Sequence, residues 1–259
     1  MSEHYADINA RAMDKWVSEG WEWGVPISSH EYAEAKAGRW GVLLTPQTAV
    51  PKGWFAPYLK NGRLDGVSIL GLASGGGQQM PVFAALGAKG CVLDYSDSQL
   101  ESERAVAARE GYEIEIVKAD MSKPLPFEMG SFDIIFHPVS NSYVEDARHV
   151  WRECFRVLKP GGLLLAGVDN GVNYLLEEDG EGRLIAKNKL PYNPLSDPET
   201  MKNTLEIDGS VQFSHSLEEQ IGGQLEAGFI LTNLYEDRDR EGAVSSYCPQ
   251  YIATRGIKP

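Results

Sequence analysis

A chain of 259 residues, 42% of them hydrophobic, is long enough to bury a full core as one large domain, with or without a cap. With 24 basic against 37 acidic residues the net charge is -13 and no basic run is present, which argues against a nucleic-acid partner and for a small-molecule one. No apolar run is long enough to cross a membrane, and the N-terminus lacks the apolar core of a signal peptide. Cys91, Cys154 and Cys248 have no metal-ligand spacing and read as buried thiols in strand or helix, in a reducing cytoplasm.

Residues 1–65 read as a helical, aromatic N-terminal cap. Five of the six tryptophans lie here (Trp16, Trp21, Trp23, Trp40 and Trp54), with Tyr5, Tyr32, Phe55 and Tyr58. A helix is predicted from about Tyr5 to Ser18, stopped at Gly20, and a second from about Ser29 to Ala37. Such rings either enclose an apolar or cationic molecule at a cleft or pack on the flank of a domain.

From Ser68 to Gln78 the sequence spells strand, glycine turn and helix. Ile69, Leu70 and Leu72 suit a parallel strand buried on both faces. Gly71, Gly75, Gly76 and Gly77 remove side chains where the backbone turns sharply and approaches a ligand, and a helix from about Gln78 aims its free amides there. A second strand, Cys91 to Asp94, ends in a carboxylate placed to bind both hydroxyls of a ribose. The glycine order is not the Gly-x-Gly-x-x-Gly of dinucleotide folds, and no lysine followed by serine or threonine marks a P-loop.

Further along, Ser98 and Glu101 have capping-box spacing and Gly111 suits a left-handed cap, bounding a helix from Asp97 to Glu110. Glu113 to Asp120 alternates as a third strand ending in an acid, and Ser131 to Phe136 is a fourth, opening onto His137-Pro-Val-Ser-Asn141. Ala147, Val150, Trp151, Cys154, Phe155 and Leu158 form one helical face, and Leu163 to Val168 a fifth strand. Residues 171–212 are irregular, with a hairpin expected at Leu205–Phe213, before a helix near Ser216. The last strands are expected at Phe229–Tyr235 and Ser246–Ala253, paired antiparallel because their connection is too short for a crossover.

In this order and spacing, residues 66–169 resemble class I S-adenosylmethionine-dependent methyltransferases. Their first motif is acid-x-Gly-x-Gly-x-Gly; Gly75 and Gly77 match its last two glycines, while Gly71 stands at the acid and Ala73 at the first glycine. The resemblance implies an α/β, doubly wound, mostly parallel seven-stranded sheet (Rossmann-like) with an antiparallel last strand, over residues 66–259 with an insertion at about 171–212. It implies S-adenosyl-L-methionine as cofactor, held by Gly71, Leu72, Ala73, Ser74, Gly75, Gly77 and Gln78, by Asp94, Tyr95 and Ser96 after the second strand, by Asp120 and Met121 after the third, and by His137.

Methyl transfer from a sulfonium requires an in-line nucleophile and exclusion of water more than any fixed catalytic signature. His137, following the fourth strand, is the first choice for a base, ahead of His215 and His30. Asn141, Tyr143, Tyr174, Tyr192 and His215 are candidates for contact with the acceptor. Asp169-Asn170 is similar to the acid pair of magnesium-dependent catechol-type enzymes, but the fourth strand ends in histidine, not aspartate, and no metal is expected. The expected protein is a monomer or homodimer acting on a small-molecule acceptor. A non-catalytic S-adenosylmethionine-binding protein, favoured by Gly71, and an NAD-dependent oxidoreductase, favoured by Asp94, are the alternatives.

Overall fold

The structure, a computed structural model, describes residues 4–259. The chain opens with helix α1 (Tyr5–Ser18) and α2 (Ser29–Lys36), whose N-terminus is closed by a reciprocal Ser28–Glu31 capping box. Alternation then begins: β1 (Ser68–Leu72), α3 (Gln79–Ala85), β2 (Lys89–Asp94), α4 (Asp97–Glu110), β3 (Ile114–Lys118), β4 (Phe132–His137), α5 (Ala147–Val157) and β5 (Leu158–Asp169). A short helix α6 (Val172–Leu175), a hairpin of β6 (Leu176–Glu178) and β7 (Leu184–Ala186), and α7 (Pro198–Ile207) make up the insertion. A π-helical turn and α8 (Gly223–Ala227) lead to β8 (Ile230–Asp237) and β9 (Tyr251–Ile257).

The main sheet has the order β3-β2-β1-β4-β5-β9-β8, with β1 to β5 mutually parallel and β9 antiparallel to both neighbours. The reversed final strand is therefore present, but it lies inside the sheet and leaves β8 on the edge. Strand alternation divides the core. Ile69, Ile134, Phe136, Leu163 and Leu165 face α2 and α3, whereas Leu70, Leu72, Ile135, Leu164 and Val168 face the side packed with Trp151 of α5 and Phe229.

Several expected details are corrected. The cap of α4 is Ser96, whose hydroxyl accepts from Gln99 N–H at 3.1 Å, rather than Ser98; Gly111 at φ 72° closes the helix as expected. Residues 198–207 form a helix, not a hairpin, because Asp197 caps Thr200 N–H at 2.8 Å and Pro198 sits in the first turn. The last strand starts at Tyr251, five residues later than expected, and Cys248 lies in the loop before it, part-exposed.

The first 65 residues do not act as one unit. Tyr32, Val42, Leu44, Trp54, Phe55 and Leu64 are buried in the same cluster as Ile69, Phe83 and Phe136. Aromatic rings run without a break from Trp40 to Phe55 (5.5 Å), Phe83 (5.7 Å) and Phe136 (5.2 Å). By contrast α1, the segment Trp21–Ile27 and Leu43–Pro46 lie at the carboxyl ends of the strands.

Candidate active site

A cavity of about 790 Å³ opens beyond the carboxyl ends of β1 to β5, where open α/β sheets bind ligands. Its floor begins at the loop after β1. Ala73, Ser74, Gly75 and Gln78 line it; Gly71, Leu72 and Gly77 do not. A Cβ on Gly71 would come within 2.7 Å of Met80 Sδ, so the position where the resembling family carries an acid faces α3 and is filled by a methionine. Leu72 is fully buried, and Gly77 packs on α4, its N–H donating to Glu103 at 3.1 Å. Ala73 takes φ 47°, the left-handed conformation natural to glycine, so this turn keeps its shape without the usual residue.

Asp94 ends β2 on the cavity wall. Its Oδ1 accepts from the N–H groups of Tyr95 (2.8 Å) and Ser96 (3.1 Å), and Oδ2 from Gly75 N–H (3.1 Å); burial nonetheless pushes its pKa up. Beside it, Gln99 Oε1 is buried with no hydrogen-bond partner. A Cβ on Gly75 would stand 2.9 Å from Asp94 Oδ2, so only glycine leaves this corner open. A ribose diol brings two O–H donors, and this corner offers a carboxylate and an unsatisfied amide oxygen to accept them; the residues fit an adenosyl cofactor. Asp120 and Met121 continue the wall, with Asp120 fixed by Ser122 N–H and Oγ, each at 2.8 Å.

Tyr95 and Ser96 also line the cavity, but their hydroxyls hold the roof. Tyr95 Oη donates to Asp7 (2.8 Å) and Ser96 Oγ to Asp14 (2.6 Å), both on α1. Gln78 Nε2 donates to the carbonyls of Glu22 (2.8 Å) and Val25 (3.0 Å), and Ile27 N–H to Gly77 O (2.9 Å), which fastens Trp21–Ile27 to the glycine loop. Between Asp7 and Asp14, α1 is also held by Asn9, whose side chain bonds Val211 of the insertion.

The expected base is displaced from this cavity. His137 is fully buried and off the wall; Nδ1 donates to Leu72 O (2.9 Å), Nε2 lies 2.8 Å from the Asn141 side-chain amide, and burial lowers its pKa. His215 is buried too, its Nε2 donating to Asn141 O and Val144 O, each at 3.0 Å. The two histidines grip the turn Asn141–Tyr143 from opposite sides. Asn141 is thereby kept off the wall while Ser142 and Tyr143 are turned into it.

At this second end the structure places Tyr143, Tyr174 and Tyr192 in the cavity wall, joined by Tyr251, Asp169 and Asp239, which sequence reasoning did not single out as acceptor contacts. Asp169 carries the signal already used for Asp94, an acid at a strand end. Asp239 and Tyr251 arrive from the far end of the chain, with no local mark. Among the described residues no group of His, Cys, Asp and Glu is arranged to hold a metal ion, and no helix is long and apolar enough to cross a membrane.

Comparison with known proteins agrees with this geometry. A family profile described as a methyltransferase domain matches residues 70–166. The chain is 42% identical to the Bacillus subtilis protein named uncharacterized methyltransferase YbaJ, covering 96% of this chain and 97% of that one. It is 38% identical over 114 residues to a demethylmenaquinone methyltransferase of Lactococcus lactis, covering 42% of this chain and 45% of that one. Among solved structures, an S-adenosylmethionine-dependent methyltransferase from Mesorhizobium loti superposes with a TM-score of 0.57 at 20% identity, over 78% of this chain and 94% of that one. With the motifs in order, a reversed final strand in the sheet and a relative matched over nearly its whole length, the chain belongs to the S-adenosylmethionine-dependent methyltransferases.

Proposed function

We propose that the protein transfers the methyl group of S-adenosylmethionine to a small acceptor held within the cavity. The observation that carries this is continuity: one cavity of about 790 Å³ joins the Asp94 corner to the tyrosine-lined end beyond β5, under a single roof. When bound, the cofactor supplies a methyl group already activated on a sulfonium. The chain has then to hold, align and dry the reactants. Asp94 and Gln99 take the ribose, Asp120 and Met121 flank the adenine, α1 excludes water, and His137 and His215 position the turn that presents Tyr143. The net charge of -13 favours a small molecule over a nucleic acid, in a cytoplasmic monomer or homodimer.

A second reading, binding without turnover, draws on Gly71, where Met80 occupies the space of the family's acid. Calorimetric titration with S-adenosylmethionine, S-adenosylhomocysteine and NADH, followed by an acceptor screen, separates the readings. Micromolar binding of both adenosyl ligands without NADH supports the cofactor site, and methylated product supports transfer. Tight binding with no product across the screen would favour the non-catalytic reading, and binding of NADH alone would overturn both.

A further inference from the structure

The acceptor end of the cavity concentrates negative charge, and among the described residues no cation pairs with it. Asp169, 8% exposed, accepts from Gly171 N–H and from Asn173 Nδ2 at 3.1 Å. Asp239 accepts from the Tyr251 hydroxyl, which lies 3.1 Å from each of its oxygens. Among the described residues neither carboxylate makes an ion pair. The basic side chains flanking Asp239 are engaged elsewhere: Arg238 on Ser245 O, and Arg240 on Glu22 and Pro46 O. Lys187, in the cavity wall, is paired with Glu177 at 2.9 Å. Buried carboxylates normally carry a cationic partner or a full set of donors. Asp169 has neutral donors and an open side on the cavity.

A second observation points to the same ligand. Tyr143 is part-buried in the cavity wall, and its hydroxyl makes no hydrogen bond among the described residues; burial pushes its phenol well above the ordinary value, so it stays an O–H with free lone pairs. Tyr143, Tyr174, Tyr192 and Tyr251 line the same space, and the electron-rich faces of such rings attract a cation. Tyr174 and Tyr192 stack at 5.9 Å, which fixes them as a wall.

We propose that the methyl acceptor is a small organic amine, recognised as its ammonium by Asp169 and Asp239 within the tyrosine wall, and that Asp169 is the catalytic residue that takes its proton. This rests on the methyl-transfer reading of the cavity. The ammonium N–H proton passes to an Asp169 oxygen. The freed nitrogen lone pair attacks the methyl carbon, the N–C bond forms as the S–C bond breaks, and the S–C electron pair stays on sulfur as a thioether. The product leaves as an N-methylated ammonium, and Asp169 returns its proton to water. Asp169 is faced by Gly171 from its own loop, by Asn173 and Tyr174 from α6, by Asp239 from the loop after β8 and by Tyr251 from β9. Burial first, and Asp239 second among the raising influences, lift its pKa to about 7, a range suited to a base at neutral pH.

The test is calorimetry on protein saturated with S-adenosylhomocysteine, using phenethylamine, cyclohexylmethylamine and 1,4-diaminobutane beside 2-phenylethanol, cyclohexylmethanol, 1,4-butanediol and phenylacetate. At least one amine is expected to bind tenfold or more tightly than its alcohol, and Asp169→Asn to erase that preference while leaving S-adenosylhomocysteine affinity within twofold. Should Asp169→Asn fail to fold, Asp239→Asn is expected to weaken the same preference. Alcohols or phenylacetate binding as well as the amines, no binding of any amine, or an amine preference that survives both substitutions would overturn the proposal. Failure to bind S-adenosylhomocysteine at all would instead overturn the methyl-transfer reading beneath it.

Discussion

Asn9 and Val211 are joined by two hydrogen bonds across 202 residues: Asn9 Nδ2 donates to Val211 O at 2.8 Å, and Val211 N–H donates to Asn9 Oδ1 at 2.7 Å. The side-chain amide pairs as a neighbouring strand would, and with 5% exposure it does so out of water. One side of α1 is thus latched to the insertion while Asp7 and Asp14 hold the other side to the end of β2. Asn9→Leu removes both bonds and leaves a buried N–H and C=O unpaired, each costing about 1–3 kcal/mol while the roof stays shut. The roof is expected to open more often. Hydrogen exchange at Val211 should quicken and S-adenosylhomocysteine should dissociate faster, with Asp94 contacts unchanged; an unaltered off-rate would show that α1 does not gate the cavity.

Gly71 and Met80 set the second expectation. Gly71→Ala places a Cβ against Met80 Sδ and Cγ, and overpacking of this kind costs about 1–3 kcal/mol. In a Met80→Ala background the same change should cost much less. Thermal or denaturant unfolding of the four proteins gives the coupling directly, and additive effects would mean that Met80 moves aside freely.

Glu103 links pH to stability. It is fully buried on α4 beneath the glycine loop, bonded to Gly77 N–H (3.1 Å) and the Tyr112 hydroxyl (3.3 Å), and burial raises its pKa to about 7. A raised carboxyl pKa means that the folded state keeps a proton which the unfolded chain releases near pH 4.5. This contribution is therefore complete below about pH 4.5 and is lost as pH rises through about 7, a change of about 3 kcal/mol. Asp169, also raised to about 7, acts in the same direction. Glu103→Gln should flatten the part of the decline due to Glu103 in unfolding curves taken between pH 5 and pH 8; an unchanged slope would locate the titration elsewhere.

Ala73 is held in a left-handed conformation that costs a residue with a Cβ roughly 1 kcal/mol. Ala73→Gly relieves this and adds about as much chain entropy to the unfolded state, so the two effects nearly cancel. Ala85→Gly, in helix α3, has no such relief and should cost about 0.5–1 kcal/mol plus its buried methyl. Equal losses at the two sites would contradict the conformational account.

Asp94→Ala deletes the carboxylate that the ribose is proposed to meet. Charge-assisted hydrogen bonds are worth about 1.5–3 kcal/mol each, so S-adenosylmethionine affinity should fall at least about tenfold in calorimetry. An unchanged Kd would remove Asp94 from the cofactor site.

What the sequence disclosed was whatever is encoded locally. The glycine loop, the acid at the end of β2, the helix from Asp97 to Glu110 and the reversed pairing of the last two strands are short-range patterns, and they stand in the structure. The α7 region was misread because Leu205-x-Ile207 alternates like a strand, while the real signal, Asp197 followed by Pro198, lay seven residues upstream. β9 extends to Ile257 through Arg255, a charge that looks unfit for a sheet interior until Trp54 O, Ala56 O and Thr232 Oγ1 are seen to accept from it. His137 drew attention because strand ends usually meet the ligand; the peptide geometry turns its ring inward to Leu72 O instead. The tyrosine and carboxylate end of the cavity draws on Tyr143, Asp169, Asp239 and Tyr251, and no window of sequence contains them together.

The aromatic chain from Trp40 to Phe136 also crosses the boundary of the common methyltransferase domain. The segment matched by the methyltransferase-domain profile, residues 70–166, holds Phe83 and Phe136 but not Phe55, the ring against which Phe83 packs. The same segment contains most of β5 and lacks β9, its partner on the other side. Transplanted alone into a chimera, that module would carry an open apolar face and a naked strand edge, so grafting experiments must move residues 30–65 and the last two strands along with it.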